Sequence, residues 1–262
     1  RTEKGWAERC GRDGPVGLGP SGAYSPGMSE MRLGVVIPAA GASGRYNSGA
    51  GEGVGGSVLG RRSKLDEDLG GRPVLQRAVE LFTALPETAA VVVAGPFDDE
   101  AFGDFSLRHA DRLSLLGAVL CRGGETYRWQ TVKAALAHLP DDVTHIAVHD
   151  AARPITPRDL IERVLDAARS HAAVIPAVPV TDTVKRLDAE RTMEVGGDPL
   201  AAILGAGGGG EKLRVVRETL ERDGLVLVQT PQVFERGVLL RAYGQDGLGG
   251  TDDAGLVERL FR

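Results

Sequence analysis

The chain has 262 residues, a net charge of −5 from 31 basic and 36 acidic side chains, and two cysteines. No run of 18 apolar residues could span a membrane, and the isolated Cys10 and Cys121 form neither a disulfide framework nor a zinc ribbon. A chain without a disulfide framework is expected in the reducing cytoplasm. Because nucleic-acid binding needs a basic face, the slight acidity argues against that partner and leaves an ordinary globular protein.

The first predicted element is a disordered extension. Residues 1–27 show neither the period of a strand nor that of a helix, and Gly, Pro and Ser are frequent among them. Such a segment buries too little apolar area to offset its ordering entropy. We therefore predict disorder over residues 1–30 and one folded domain over residues 31–262.

Strands and helices alternate from Leu33 onward. Short apolar runs of this kind are typical of strands that are buried on both faces of a parallel sheet. Strands are predicted at Leu33–Ile37, Ala89–Gly95, Gly117–Cys121, His145–His149 and Ala172–Ala177, and helices from Pro73, near Tyr127–His138 and near Pro157–Ser170. The pattern predicts an α/β fold with a Rossmann-like, mainly parallel twisted sheet and helices on both faces.

The alternation changes after Pro179. Residues 183–226 are predicted to form an extended arm, and LVLVQTPQVF an antiparallel addition to the sheet. Two final helices are predicted near Glu235–Gly244 and Asp252–Leu260. Upstream, the glycine-rich residues 47–62 form a predicted insertion. Its GxGxxG match has no predicted strand before it and no helix after it, which argues against a dinucleotide-binding loop.

Small and polar residues cluster just after the predicted strands, where ligands bind in open α/β sheets. After the first strand, Pro38–Arg45 (PAAGASGR) offers small residues whose backbone N–H groups can approach an anion, and an arginine suited to phosphate. Lys64 follows the insertion. A phosphate site and an ordinary turn both remain open for this segment.

The segment Val148–Pro154 (VHDAARP) ends a predicted strand in an acid. Asp150 could bind Mg²⁺ or a substrate hydroxyl, or it could cap the helix that begins near Pro157. A cap would normally lie next to the helix start, so a functional role is favoured. His145 and His149 lie too far apart along a strand to share one metal, and we predict that both are structural.

Two further polar segments stand outside the periodic pattern. Gly123–Val132 (GGETYRWQTV) could enclose a base through Glu125 and Thr131, or it could be an ordinary βα loop. Polar side chains that periodicity does not explain follow in the C-terminal half: Thr183, Lys185, Thr230, Thr251, Asp252 and Asp253. We expect at least one of the two aspartates to start the last helix.

Eight segments occur in order over residues 31–262: AAGASGR, SKL, GRPVLQRAVELF, GGETYR, VHDAARP, PVTDTVKR, QTPQVF and TDDAGLVE. Together they resemble the 2-C-methyl-D-erythritol 4-phosphate cytidylyltransferase family of the non-mevalonate isoprenoid pathway, and HDAARP with DTVKR and QTPQ is the specific part. The related pentitol-phosphate cytidylyltransferases share the loop and the HDA core. They tend to have a bulkier residue where Ala152 stands and to lack KR after DT.

The resemblance implies a nucleotidyltransferase fold and reaction. The phosphate of 2-C-methyl-D-erythritol 4-phosphate attacks the α-phosphorus of CTP, and pyrophosphate leaves with the assistance of Mg²⁺, for which Asp150 is the candidate ligand. Arg45 and Lys64 match the basic pair that stabilises charge on the α-phosphate. Arg222 matches the arginine that holds the acceptor phosphate. Positioning and fixed positive charge supply most of the acceleration in such an in-line transfer.

The resemblance also implies a binding pocket and a dimer. Cytidine is expected against Ala39, Ala40, Gly41, Gly124, Glu125 and Thr131, and the acceptor against Thr230 and Thr251, with Asp150, Arg153 and Thr183 completing the pocket. The arm of this family exchanges with a second subunit. A homodimer is therefore expected, in which Arg222 serves the neighbouring active site.

Four departures from the family's pattern accompany the match. Residues 47–62 separate Arg45 from Lys64, and serines replace a usual proline at Ser63 and a usual glycine at Ser43. The family normally continues after TDDAGLVE into a strand whose lysine contacts the acceptor phosphate, and we expect no equivalent here. The alternatives are a pentitol-phosphate cytidylyltransferase and a catalytically impaired nucleotide-binding homologue.

Overall fold

The computed structural model describes residues 30–41, 63–188, 214–250 and 252–262, together with the backbone of three short strands outside these ranges. The chain divides into two units, of which the first comprises residues 1–177 and 228–262 and the second residues 178–227. The predicted insertion over residues 47–62 lies outside the described residues.

The described elements alternate between strand and helix as far as β6 and then change character. The strands are β1 (Pro15–Gly17), β2 (Leu33–Pro38), β3 (Thr88–Gly95), β4 (Ala118–Arg122), β5 (His145–Val148), β6 (Ala173–Pro179), β7 (Val184–Leu187), β8 (Arg191–Met193), β9 (Glu211–Leu213), β10 (Val216–Leu220), β11 (Val226–Val228) and β12 (Gln232–Glu235). The helices are α1 (Val74–Thr83), α2 (Asp99–Leu115), α3 (Arg128–Leu136), α4 (Arg158–Ala168), α5 (Arg236–Tyr243) and α6 (Asp253–Glu258).

The main sheet has the strand order β1-β6-β12-β5-β2-β3-β4. Parallel pairing joins β2 to β3, β2 to β5 and β3 to β4. β12 is antiparallel to both β5 and β6, so these two strands run in the same direction on either side of it. The mainly parallel α/β sheet and the antiparallel addition around QTPQVF are both confirmed.

The core lies on both faces of this sheet. Along β2, Leu33, Val35 and Ile37 pack into a cluster with buried residues of α1, α2 and α4, whereas Val36 packs with α3, α5 and α6 on the other face. This two-sided burial explains why β2 is an uninterrupted apolar run rather than an alternating one. The helix expected from Pro73 is α1, and the apolar residues of one of its faces are fully buried: Leu75, Ala78, Val79 and Phe82.

Helix α2 is absent from the sequence-based prediction. Asp98 caps it by accepting hydrogen bonds from the backbone N–H groups of Glu100 and Ala101, both at 3.0 Å. Only Phe105, His109 and Leu113 are buried on it, whereas Leu107 and Leu115 are 88% and 87% exposed. Apolar residues on both faces blur the helical period, and so this helix was not recognised.

The prediction of a disordered extension over residues 1–30 is wrong for Pro15–Gly17. These residues form β1 and pair antiparallel with Pro176, Ile175 and Val174 of β6. An edge strand offers unpaired N–H and C=O groups, and a passing segment satisfies them without any apolar pattern of its own. Residues 1–14 and 18–29 lie outside the described residues.

The second unit contains two antiparallel strand pairs, β7 with β10 and β8 with β9. The arm predicted over residues 183–226 lies within this unit. Within the ranges that the structure describes, no helix is long and apolar enough to cross a membrane.

Candidate functional site

A cleft of about 1020 Å³ opens in the first unit at the carboxyl ends of β2 and β5 and beside the start of β12. β12 contributes its amino end to this edge because it runs antiparallel to β5. Ten residues predicted from the sequence line the cleft: Ala39, Ala40, Gly41, Lys64, Gly124, Glu125, Thr131, Asp150, Arg153 and Thr230. The structure therefore brings together segments that lie far apart in the sequence.

Four predicted residues are placed elsewhere or are not described. Arg45 and Thr251 lie outside the described residues. Thr183 and Arg222 belong to the second unit, and both are exposed. There the guanidinium of Arg222 donates to the carbonyl of Thr181, just after β10.

Backbone hydrogen bonds fix the loops that form the floor of the cleft. The N–H of Ala39 donates to the carbonyl of Ala94 at 2.7 Å, and the N–H of Gly123 donates to the carbonyl of Gly95 at 2.9 Å. Both acceptors lie at the end of β3. The loops after β2 and β4 are therefore tied to one strand between them, which gives the cleft a rigid base.

The loop between β4 and α3 needs glycine because other chain atoms lie against it. A Cβ atom on Gly124 would lie 2.1 Å from Cβ of Gln130, which no real side chain tolerates. The amide of Gly124 donates to the hydroxyl of Thr131 at 3.1 Å, and Thr131 is buried. Gln130 accepts from the amides of Thr126 and Tyr127, both at 2.9 Å. These contacts hold the turn and leave Glu125 exposed at its tip.

Lys64 is positioned by a short turn that packs onto α1. Leu65 is buried, and its carbonyl accepts from the N–H of Leu75 at 3.1 Å. The hydroxyl of Ser63 accepts from the N–H of Leu65 at 3.3 Å, so this serine closes the turn at the place where the related family has proline. The lysine thus stands on anchored backbone beside the cleft.

The same turn is linked to α2 through Asp66. Its Oδ2 lies 3.2 Å from Nε of Arg108, and its Oδ1 lies 2.7 Å from Nε2 of His109, a close contact without hydrogen-bond geometry. Burial lowers the pKa of His109, and Asp66 opposes this effect. Helix α2, which the sequence did not reveal, thereby contributes to the support of the Lys64 turn.

Asp150 lies between two arginines at the end of β5. Its Oδ2 lies 3.1 Å from Nε of Arg153, and its Oδ1 lies 3.3 Å from a terminal nitrogen of Arg128. Arg128 was not predicted as a site residue, although it lies in the GGETYR segment. With Lys64, these two arginines give the cleft three cationic side chains among its described residues.

A buried carboxylate holds Arg128 from the other side. Asp253 is 1% exposed, and its Oδ2 lies 2.6 Å from the Arg128 guanidinium, while its Oδ1 accepts from the hydroxyl of Tyr243. Burial lowers the pKa of Arg128, but Asp253 and Asp150 raise it by more, so that the pKa lies above its ordinary value. Burial and then Asp253 raise the pKa of Tyr243. Arg128 is therefore a permanent, oriented cation.

The polar residues of the QTPQ segment connect the other motifs. Gln229 accepts from the guanidinium of Arg153, and Gln232 donates to Asp252 at 3.0 Å while accepting from the N–H of Ala254 at 3.0 Å. The hydroxyl of Thr230 accepts from the N–H of Asp150 at 3.2 Å. Gln229 and Gln232 were not predicted as site residues, although both belong to the QTPQ segment that carries part of the resemblance.

The two aspartates at the start of α6 have different roles. Asp252 is the helix cap, and its Oδ1 accepts from the N–H of Gly255 at 3.2 Å. This confirms that one of the pair starts the last helix. Asp253 is instead buried against Arg128 and Tyr243, a role that spacing alone could not distinguish from capping.

His145 and His149 are both buried, in agreement with the structural role predicted for them. Nδ1 of His145 lies 2.9 Å from the hydroxyl of Thr144. Burial lowers the pKa of His145, and burial lowers the pKa of His149 to about 4. Among the described residues, no group of three His, Cys, Asp or Glu side chains could hold a metal ion.

We expect the free energy of unfolding to fall as the pH is lowered from about 6.5 towards 4. The unfolded chain takes up a proton at His149 near the ordinary pKa of 6.5, whereas the folded chain does so only near 4. The contribution of His149 to the free energy of unfolding is therefore fully present above pH 6.5. About 2 kcal/mol of this contribution is lost between pH 7 and pH 5. Urea unfolding at the two pH values measures the loss, and a His149→Phe variant should show a smaller one. An equal loss in that variant would contradict the assignment.

Comparison with known proteins gives a consistent result. The family model described as 2-C-methyl-D-erythritol 4-phosphate cytidylyltransferase matches residues 33–198 and 207–261. Proteins of that name from Frankia casuarinae and Streptomyces coelicolor are 39% and 40% identical, over 89% of this chain in each case and over 72% and 76% of their own lengths. The crystal structure of the Thermus thermophilus protein of that name is 28% identical with a TM-score of 0.56, and the match covers 88% of this chain and 85% of that one.

Proposed function

This chain belongs to the 2-C-methyl-D-erythritol 4-phosphate cytidylyltransferase family, and we propose that it performs cytidylyl transfer in the cleft described above. The substrates are CTP and 2-C-methyl-D-erythritol 4-phosphate, and the products are 4-diphosphocytidyl-2-C-methyl-D-erythritol and pyrophosphate. The observation that supports this most strongly is the grouping of Lys64, Arg128 and Arg153 beside the loops after β2 and β4. These three cationic side chains can contact the phosphates of a nucleotide, and a cleft of about 1020 Å³ has room for its nucleoside.

The reaction requires positioning more than proton transfer. An oxygen of the acceptor phosphate, already an anion, forms a bond to the α-phosphorus of CTP as the bond to the pyrophosphate oxygen breaks. Negative charge grows on the oxygens around the α-phosphorus, and fixed cations that face it lower the barrier. We assign this role to Lys64 and Arg45, and we assign the orientation of the phosphates to Arg153 and Arg128.

We propose that cytidine binds along the loops after β2 and β4. Ala39, Ala40 and Gly41 line the cleft with no more than a methyl group each, and Glu125 is exposed at the tip of its loop. The amide of Gly124 donates a hydrogen bond to the hydroxyl of Thr131, and this contact shapes the cytidine side of the cleft. On the acceptor side of this cleft we place Asp150, Arg153, Thr230 and Thr251.

Mg²⁺ is the proposed cofactor. This ion keeps several waters and typically binds one or two carboxylates together with substrate phosphates. Asp150 fits by donor type and by its 36% side-chain exposure in the cleft, although an arginine lies near each of its oxygens. When bound, the ion would neutralise charge on the triphosphate, and Asp150 would be its protein ligand.

We also propose a homodimer that works in the cytoplasm. The second unit exposes apolar side chains at the end of β7 and around the start of β10: Leu187, Val215 and Val216 are 44%, 54% and 52% exposed. Apolar surface of this kind is favourable to bury against a second subunit. Arg222 would then serve the partner's site. A buried free thiol at Cys121, whose pKa burial raises to about 11, suits a reducing compartment.

A pentitol phosphate is the alternative acceptor. Ala152 lies in the cleft lining, and its small side chain leaves room for the additional methyl group of 2-C-methyl-D-erythritol 4-phosphate. We therefore expect the branched acceptor to be preferred. Replacing Ala152 by leucine should reduce the preference by filling that space.

The test is pyrophosphate release by the full chain with CTP, Mg²⁺ and either 2-C-methyl-D-erythritol 4-phosphate or ribitol 5-phosphate. We expect release with the branched acceptor only, and none when Mg²⁺ is replaced by a chelator. Preference for ribitol 5-phosphate would establish the alternative acceptor. If neither acceptor gives pyrophosphate release but CTP raises the melting temperature, the protein binds nucleotide without turnover. A ligand stabilises the folded state whether or not it reacts.

A further inference from the structure

His149 lies directly before Asp150 and is completely buried between the cleft and the core. Its ring contacts Phe82 edge to face, with the ring centroids 5.0 Å apart. Nδ1 lies 3.1 Å from the hydroxyl oxygen of Thr230, and Nε2 lies 3.1 Å from the carbonyl oxygen of Arg153. Both ring nitrogens are therefore engaged, and each contacts the cleft's lining rather than the core.

These partners determine where the protons lie. The carbonyl of Arg153 can only accept, so Nε2 of His149 donates to it. In a neutral ring Nδ1 is then an acceptor, and the hydroxyl of Thr230 donates to it. The same hydroxyl accepts from the N–H of Asp150 at 3.2 Å. The result is a directed chain of hydrogen bonds that connects the backbone at Asp150 with the backbone at Arg153.

This chain closes across a tight turn. The N–H of Arg153 donates to the carbonyl of Asp150 at 3.0 Å, and the hydroxyl of Thr156 donates to the Arg153 carbonyl at 3.3 Å. The turn presents the two side chains that face the cleft, Asp150 and Arg153. Because the proton of Thr230 points to His149, this hydroxyl has no proton left to donate to a substrate.

We propose that His149, as a neutral imidazole protonated on Nε2, is a positioning residue for cytidylyl transfer. It holds the Asp150–Arg153 turn in place. The hydroxyl of Thr230 donates to His149 rather than to a substrate, and so it supports the same turn. This inference rests on the proposed function, because its kinetic readout is that reaction. Transfer is sensitive to such support, since a displacement of about 1 Å can cost about 10²-fold in rate.

The kinetic test compares two buried histidines of the same segment. His149→Phe keeps an aromatic ring against Phe82 and removes both hydrogen bonds, and we expect kcat to fall about 10- to 100-fold. The control His145→Phe removes a buried ring that is not part of the cleft lining and whose Nδ1 lies 2.9 Å from the hydroxyl of Thr144, and it should lower stability with little change in kcat. Equal kcat losses in the two variants, or an unchanged kcat in His149→Phe, would overturn the proposal.

A double-variant cycle tests the role of Thr230. If its hydroxyl acts only through His149 and Asp150, Thr230→Val and His149→Phe should each cause a similar kcat loss, and their combination should lose little more. Thr230→Ser keeps the hydroxyl and should restore most of the activity. Multiplied losses in the double variant would show an independent substrate contact and overturn this part.

The tautomer is measured on the unaltered chain and does not depend on activity. Nitrogen chemical shifts of a ¹⁵N-histidine sample at pH 7 should show Nε2 of His149 protonated and Nδ1 unprotonated, with assignment by comparison with His149→Phe. The opposite tautomer would overturn the proposal. An unaltered chain that releases no pyrophosphate with either acceptor would contradict the proposed function and leave this measurement valid.

Discussion

Lys64→Ala is expected to lower the turnover of cytidylyl transfer by about 10²-fold or more while leaving the free energy of unfolding nearly unchanged. Lys64 lines the cleft, in which we propose that negative charge grows on the α-phosphate in the transition state. The anchors of its turn are the backbone of Leu65 and the hydroxyl of Ser63, and the substitution keeps both. The loss should therefore appear in kcat and not in the folded structure.

Lys133→Ala is the matched control for this variant. Lys133 lies on α3 and is exposed, and it is not part of the described cleft lining. Its removal should leave kcat nearly unchanged and should change the free energy of unfolding by less than about 0.5 kcal/mol. Measuring kcat with pyrophosphate release, and stability by urea unfolding, separates the two effects. Turnover in Lys64→Ala equal to that of the control would show that the basic residue of the reaction lies elsewhere.

Asp253→Ala is expected to destabilise the protein by about 3–5 kcal/mol, the largest loss of stability that we predict. The carboxylate is 1% exposed, and its removal leaves the Tyr243 hydroxyl without its acceptor and the Arg128 guanidinium without the shorter of its two ion pairs. Breaking a buried pair from one side is costly because the remaining charge stays desolvated. Asp150 would also lose an oriented neighbour, so turnover should fall in the fraction that folds.

Two other variants calibrate this prediction. Tyr243→Phe removes one hydrogen bond and keeps the ion pair, and it should cost about 1–2 kcal/mol. Asp104→Ala removes an exposed acid from α2 and should change stability by less than about 0.5 kcal/mol. Urea unfolding of the three variants should give this order. A loss in Asp253→Ala no greater than that in Tyr243→Phe would show that the ion pair with Arg128 adds nothing.

The sequence predicted the elements whose burial follows a simple period. The run at Leu33–Ile37 is buried on both faces and became β2, and the one-sided period after Pro73 became α1. Helix α2 was not predicted because Leu107 and Leu115 are exposed on it and obscure its helical period. β1 was not predicted for another reason. A strand that only pairs with a sheet edge uses its backbone N–H and C=O groups and needs no apolar pattern.

The sequence predicted which segments form the cleft, but it did not predict which of their side chains face a ligand and which hold the loops in place. Thr131 and Thr230 were expected to contact substrates, and both hydroxyls bond to the protein's own backbone amides. Arg128 and Gln232 were not predicted as site residues, because a single arginine at the start of a helix or a single glutamine at the start of a strand has no distinctive spacing. Which polar group faces a ligand and which one holds a loop depends on partners that are distant along the chain.

The position of β12 has a consequence for the order of folding. Val148 pairs with Gln232, so the central sheet is completed only after the whole second unit has been synthesised. Contacts between segments so distant along the chain form slowly, because the intervening loop must close first. A chain still emerging from the ribosome can assemble β2 to β5, but it leaves β5 with an open edge and Asp150 without Thr230. Competence to bind a nucleotide is therefore acquired late, at the step that also removes an edge prone to aggregation.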